Sequence, residues 1–395
     1  MSEAAVSGPV STGPLRLLTP SAALLWGLQY ALLNPALGYL LVSVYQATPS
    51  EVGWILGVYG TGAFLASLII PRYAASRPDS LRPVLLAGCL TLLLAIVLGL
   101  VSSLPVAVIA LIVLGGPAAI GSSLLYTHLE RTGVASSQLS RHRTAVALAW
   151  VVGPPLAMLI MGGFGPRAVA VALILVAVLN IATTMFLMQL RPNGTAERSA
   201  PTPMRNAPLR LVTAVIVLGF VTLQASNVAG MSIMSLFVVE TLQLDIVWAG
   251  VALGLAAAVE IIALLVIGRL RGRIPCRRLV ISGGAAGVLY GAGMTLVQGP
   301  ASLLVLQILA GWFVATLSGA GLLLFRQVAG RSESAVALLD HTRRIGAVVA
   351  GPVIALSAAT TLGYRGVFLG CVVLAMTGLG CVLAVSLMSR SEPAP

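Results

Sequence analysis

The chain has no lysine: all 23 of its basic residues are arginine. It has little charge of either sign, with 11 acidic residues and charged residues at 9% of a 395-residue chain. A soluble domain carries about a quarter charged residues, so this chain cannot cover a water-facing surface. Without lysine there is no G-x-x-x-x-G-K-[ST] loop to cradle a nucleotide, so an ATP-driven pump has no support. No H-E-x-x-H, C-x-x-C or hydrolytic triad occurs, and no enzyme chemistry or cofactor is expected. The four cysteines (Cys89, Cys276, Cys371, Cys381) lack metal-ligand spacing, and three of them sit inside apolar runs as small packing residues. What fills the chain instead is hydrocarbon: 58% hydrophobic residues and a mean hydropathy of +1.02. It reads as an all-α membrane protein.

A hydrocarbon core of roughly 30 Å needs about 20 apolar helical residues. Long apolar runs between polar breaks predict twelve transmembrane helices, near 22–45, 52–71, 84–102, 104–127, 137–162, 167–189, 211–239, 246–268, 279–297, 301–325, 335–361 and 365–388. The first run is too long for a signal peptide and follows no basic segment. Counting the N-terminus, the even-to-odd connections, the C-terminus and the adjoining helix ends as one side, that side holds 21 arginines; the other has only Arg167 and Arg365. The positive-inside rule puts the arginine-rich side and both termini in the cytoplasm. The net charge of +12 is therefore a topology signal rather than a nucleic-acid patch. The expected organisation is a cytoplasmic segment 1–21, a six-helix bundle 22–190, a cytoplasmic linker 191–210, a second bundle 211–388 and a tail 389–395. The linker reading rests on its prolines and arginines, "RPNGTAERSAPTPMRNAPLR".

The halves repeat one another. Pro49–Trp54 before the second span corresponds to Gln243–Trp248 before the eighth. Arg143 with Gly153-Pro154 in span 5 corresponds to Arg344 with Gly351-Pro352 in span 11. Spans 5 and 11 end at Gly165-Pro166-Arg167 and Gly363-Tyr364-Arg365. Two six-helix halves with a path between them are the plan of a secondary transporter, with a small solute bound near the midplane.

Ionisable groups inside a span are expensive and mark a pathway or proton relay by default. Glu260, in "GLAAAVEIIALLVIG", lies roughly 21 Å along span 8 with no basic residue within eight positions. A carboxyl able to gain and lose a proton there is what proton coupling requires; a fixed structural ion pair is the other reading. Arg143 and Arg344 either snorkel to the cytoplasmic interface or project into the cavity, where a fork of donors suits hydroxyls or a carboxylate. Trp150, two turns after Arg143, shares its face and either stacks on a sugar ring or packs. Gln29, Tyr30 and Asn34 in span 1, with Gln224 and Asn227 in its repeat mate span 7, need hydrogen-bond partners in hydrocarbon and are read as cavity lining. Tyr126 near the end of span 4 and His341 near the start of span 11 are further candidates. The Gly153-Pro154 and Gly351-Pro352 pairs are read as helix bends, because proline removes a backbone donor.

Twelve spans in two repeats resemble the major facilitator superfamily. Within it, "RTAVALAWVVGPPLAM" is similar to the span 5 signature of the sugar efflux transporter family, "AAAVEIIALLVIGRLRGR" to its span 8, and "DHTRRIGAVVAGP" to its span 11. The spacing of Arg143 and Trp150 also resembles that of the sugar-binding arginine and tryptophan of the lactose permease. The resemblance implies proton-driven export of sugars or glycosides by a monomer in a bacterial inner membrane, with protons and lipid as its other partners. A multidrug/proton antiporter of the same fold is the alternative, since such antiporters also carry a Gly-Pro pair in span 5. A membrane sensor is the third class, disfavoured by cytoplasmic segments too short for a signalling domain. The chain departs from the family in three places: the 2–3 loop lacks a G-x-x-x-D-[RK] pattern, His341 replaces a small amide, and span 4 ends in Leu129-Glu130.

Overall fold

The computed structural model describes residues 13–75, 81–131, 136–189, 211–270, 272–329 and 332–388. Among them every regular element is helical, and the helices join into twelve long rods: α1 (Gly13–Ser43), α2 (Pro49–Ala75), α3 (Arg82–Leu100), α4 (104–131), α5 (Ser136–Phe164), α6 (Ala168–Gln189), α7 (Leu211–Thr241), α8 (Val247–Leu270), α9 (Cys276–Leu296), α10 (300–329), α11 (Ser332–Ala358) and α12 (Tyr364–Met388). Segments 1–12, 190–210 and 389–395, which carry the expected linker and tail, lie outside the described residues. Helix α1 begins at Gly13, well before the apolar run that marks it in the sequence, with Pro20 inside its early turns.

Ten of the described helices are long and apolar enough to cross a membrane. The two that fall short are α1 and α11, which carry Gln29, Tyr30 and Asn34, and Asp340, His341, Arg343 and Arg344. Polar residues of this density are tolerated where a helix borders protein or water rather than lipid.

The repeat seen in the sequence has a structural counterpart at two pairs of helix junctions. Gln46 and Gln243 both take a left-handed backbone (φ 55° and 54°), ending α1 and α7 alike. The next helix is capped by an acid each time: Thr48 and Glu51 bond reciprocally at the start of α2, and Asp245 accepts from the Val247 amide at the start of α8. Such caps satisfy amides that the first helical turn leaves without partners. Arg167 at the head of α6 donates to Ser102 Oγ. Its mate Arg365 at the head of α12 donates to the carbonyls of Thr295 and Val297, at 3.0 and 3.2 Å. The two arginines of the arginine-poor end thus tie the turns after α3 and α9, Arg167 through a serine hydroxyl and Arg365 by covering carbonyls that a helix terminus leaves open.

The buried core shows how the bundles sit. At the arginine-poor end a single apolar cluster runs through both, joining Leu37 and Leu41 of α1, Val52 of α2 and Met158 of α5 to Phe237 of α7, Ala249 of α8, Ile354 of α11 and Phe368 of α12. Toward the arginine-rich end it divides. Trp26, Ala87 and Leu125 form a cluster of the first bundle alone, and Phe220, Phe313 and Phe325 one of the second alone. The bundles are closed on each other at one end and hold separate cores at the other.

The closure is made by two related seams. On α2, a Cβ at Gly53 would overlap Ala355 of α11, and Gly57 lies against Gly351 and Pro352. On α8, Gly250 and Gly254 lie against Pro155 of α5. Each seam sets a G-x-x-x-G face on a Gly-Pro segment, and small residues at such crossings let helix backbones approach. A third crossing joins α1 to α7, where Ser235 donates to the Pro35 carbonyl at 2.9 Å.

Candidate functional site

The polar groups of the second bundle gather around α11 and α8. Glu260 is half-buried on α8, between two residues seated on glycines of α10: Val259 against Gly311 and Leu264 against Gly319. The close approach of these helices brings Ser318 Oγ to 3.2 Å from Glu260 Oε1. Ser318 belongs to a π-helical turn, Thr316–Ala320, a distortion that is often found at functional sites. Arg343 of α11 is the guanidinium within electrostatic reach of Glu260, and its own side chain is exposed.

One helical step of about 100° separates neighbouring residues, so Arg344 points elsewhere. Its Nε donates to Asp340 Oδ2 at 2.7 Å, and its Nη2 to Ser123 Oγ of α4 at 3.2 Å, a link between bundles in the arginine-rich half. Arg344, Asp340 and His341 line a recess of about 100 Å³ with Ser67 and Pro71 of α2 and Ser123 and Thr127 of α4. The His341 ring meets Phe64 edge-on at 6.5 Å, and its Nδ1 is buried without a hydrogen-bond partner. Tyr30 of α1 donates to the Ala118 carbonyl at 3.1 Å and shares an electrostatic neighbourhood with Tyr59, Asp340, Arg343 and Arg344. Tyr30 and Ser123 from one bundle therefore face Asp340, His341 and the two arginines of the other, with Tyr59 behind Tyr30, its ring against Gly115 of α4. Hydroxyl donors and acceptors opposite a guanidinium pair suit a polyhydroxylated solute.

Several expected site residues lie elsewhere. Gln29 does not line the gap between the bundles. It is 3% exposed, donates to Thr91 Oγ1 of α3 at 2.7 Å and accepts from Asn180 Nδ2 of α6 at 2.9 Å. The amide's need for partners is met inside the first bundle, which is why it tolerates an apolar helix. Its mate Gln224 is also buried, at 6%, beside Gly346 of α11. Asn34 donates to the Tyr30 carbonyl one turn back, and Asn227 is half-buried on α7. Trp150 is half-buried, between Ala149, which meets Gly27 of α1, and Val151, whose carbonyl meets Gly254 of α8. Tyr126 stacks edge-on against His142 of α5 at 5.5 Å. Arg143 has its backbone in α5, while its side chain lies outside the described residues. The prolines of both Gly-Pro pairs sit within unbroken helices. Their glycines mark close approach, Gly153 to Ala31 of α1 and Gly351 to Gly57 of α2.

These placements separate structure from solute contact. Gln29→Leu strands Asn180 Nδ2 and leaves Thr91 Oγ1 only its bond to the Ala87 carbonyl, and a buried polar group without a partner costs about 1–3 kcal/mol. The variant is expected to melt at lower temperature in detergent while keeping its affinity for transported solute. An unchanged melting point with weakened binding would return Gln29 to the cavity.

Sequence reasoning missed Ser318, Ser123, Tyr59 and Arg343. Arg343 was visible as the first of a pair three and four residues after Asp340, and Gly53/Gly57 with Gly250/Gly254 repeat in the sequence at one offset. Nothing local marks Ser318 or Ser123, because their partners come from distant helices.

Comparison with known proteins places this geometry in a lineage. The family model described as Major Facilitator Superfamily matches residues 21–305. Sugar efflux transporter B of Salmonella typhimurium is 30% identical over 384 residues, covering 92% of this chain and 93% of that protein. Sugar efflux transporter A of Dickeya chrysanthemi is 29% identical, covering 85% and 87%. Among solved structures, the nucleoside transporter NupG superposes with a TM-score of 0.79 at 13% identity, covering 96% of this chain and all of that one. The D-xylose-proton symporter gives 0.69 at 14% identity, covering 96% and 97%. At such identities these two likenesses speak for the fold alone. This multi-pass membrane protein belongs to the Major Facilitator Superfamily.

Proposed function

We propose that the chain is a proton-coupled exporter of sugars or glycosides, working by alternating access in a bacterial inner membrane. Its arginine-rich end and both termini face the cytoplasm, and the segment 191–210 links the bundles on that side. Support for the solute class comes from relatives named as sugar efflux transporters at 30% and 29% identity over most of their length, and none of this is enzyme chemistry. The observation that carries the mechanism is the placement of Glu260. It is a carboxyl in the interior of α8 whose described polar neighbours are a hydroxyl and one arginine, a setting in which its charge can change.

In this reading the apolar core shared by both bundles is the closed outer gate, and the divided cores flank an inward-facing path. Solute hydroxyls meet Arg343, Arg344 and Asp340 from one bundle and Tyr30 and Ser123 from the other. The Arg344–Ser123 bond breaks or reforms as the halves rock. Arg143 and Trp150 are kept as solute contacts from α5.

The purified protein, melted in detergent against a panel of mono- and disaccharides, glycosides and lipophilic cations, tests the solute class. Stabilisation by glycosides at millimolar concentration is expected. Stabilisation confined to lipophilic cations would overturn the sugar reading and favour a drug antiporter.

A further inference from the structure

Ser318 has more potential acceptors than it has protons. Its Oγ lies 3.2 Å from Glu260 Oε1, 2.9 Å from the Val314 carbonyl and 3.4 Å from the Ala315 carbonyl. A hydroxyl has one proton to donate and two lone pairs to accept with, so these contacts cannot all be donations at once. Two arrangements satisfy the geometry. With Glu260 ionised, Ser318 gives its proton to the carboxylate, and the Val314 carbonyl goes without it. With Glu260 protonated, the carboxyl O–H donates to Ser318 Oγ, and the serine proton turns to the Val314 carbonyl.

The site of this choice is unusual. Ser318 lies inside the π-helical turn Thr316–Ala320, where the backbone ladder is offset by one residue from α-helical bonding. It lies beside Gly319, which meets the Leu264 side chain of α8, and two turns after Gly311, which meets Val259 and the Ala256 carbonyl of α8. A change in which carbonyl the serine covers is thus delivered to the part of α10 that already departs from α-helical bonding, at the helix crossing that holds Glu260.

We propose that Ser318 is a positioning residue of the protonation site, its hydroxyl passing between the α10 backbone and Glu260 as the carboxyl gains and loses its proton. The step is a rearrangement of hydrogen bonds: one proton is exchanged between the Glu260 carboxyl and water in the path, and the serine keeps its own throughout. Among the described residues the groups that face Glu260 are few. Arg343 comes from α11, and α10 contributes Ser318. The adjoining helix α5 carries Arg141, His142 and Arg143 toward its arginine-rich end, and the nearest charge on α8 itself is Arg269. This inference rests on Glu260 being the proton carrier, so the test has to separate the two.

Infrared difference spectra of the reconstituted full-length protein, recorded across a pH series without added solute, do so. A carboxylic C=O band that titrates in the wild type and vanishes in Glu260→Gln assigns the group. In Ser318→Ala the band is expected at higher frequency, with its pH midpoint moved by about one unit to the alkaline side. A tenfold change of this size is what loss of one hydrogen bond to a charged group gives. Ser318→Thr, which keeps the hydroxyl, is expected to restore both. An assigned band that is unmoved in Ser318→Ala, while that variant melts like the wild type, would overturn the role of Ser318. A wild-type spectrum with no band lost in Glu260→Gln would overturn the proton-carrier reading instead. If Ser318→Ala fails to fold, a band in Ser318→Thr displaced as far as one unit counts equally against the proposal.

Discussion

Glu260→Gln is expected to abolish accumulation of solute against its gradient while leaving exchange down the gradient intact. For one proton exchanged per solute, a pH difference of one unit supports at most about tenfold accumulation, because one pH unit and a tenfold concentration ratio are the same free energy. In proteoliposomes the wild type should approach that ratio with a transported glycoside, and the variant should stop at one. Glutamine keeps the shape and an acceptor for the Ser318 hydroxyl, so the half-buried position between α8 and α10 stays filled. What it loses is the ability to change charge. The carbonyl of the amide cannot release a proton to one side and recover it from the other, so the bundles cycle with no energetic tie to the gradient. Loss of exchange as well as accumulation would mean that Glu260 supports the helix crossing rather than the coupling.

The second large effect is expected at the seams. In Gly351→Ala the new Cβ overlaps the Gly57 backbone of the opposite bundle, and in Gly57→Leu the side chain is driven into Gly351 and Pro352. Overpacking of this kind costs about 1–3 kcal/mol. Because the strain exists only while the arginine-poor end is closed, it shifts the balance toward the opposite-facing state by roughly 5- to 150-fold. Spin labels at the exposed turn residues Gln46 and Gln243, which follow α1 and α7, should report a longer mean distance in the variants than in the wild type. Turnover falls because the closed state is seldom revisited. Gly380→Ala serves as the control: nothing lies within 4 Å of a Cβ there, and neither distance nor turnover should change. Unaltered distances in Gly351→Ala would mean that α2 and α11 do not form the closing face.

Much of this fold was legible in the chain because lipid imposes a simple rule. Helix α3, read as 84–102, is Arg82–Leu100, and α6, read as 167–189, is Ala168–Gln189. Each is bounded by polar or proline-containing turns that cannot lie in hydrocarbon. Helix α1 was read short, because Thr19, Pro20 and Ser21 look like a boundary although a helix can carry them into its polar end. The candidate site was less legible, for reasons of partnership. An amide in an apolar run signals that a partner exists without saying which. For Gln29 the partners are Thr91 and Asn180, 62 and 151 residues away and inside one bundle. Arg344 was read as a solute contact, and its bonds to Asp340 and Ser123 show a side chain already committed in this conformation. Its neighbour Arg343 is the one near Glu260. The choice between them depends on helix rotation, which tertiary packing sets. The Gly-Pro pairs were read through proline, as bends, while their glycines are where helices touch.

The central claim, that solute leaves as a proton enters through Glu260, is tested most directly by the proton itself. Proteoliposomes loaded with a transported glycoside and a trapped pH-sensitive dye, diluted into buffer without solute at equal pH, should acidify inside as solute flows out. The signal should be absent in Glu260→Gln, although solute still escapes. Outflow of the glycoside from wild-type vesicles with no change in internal pH would contradict the account.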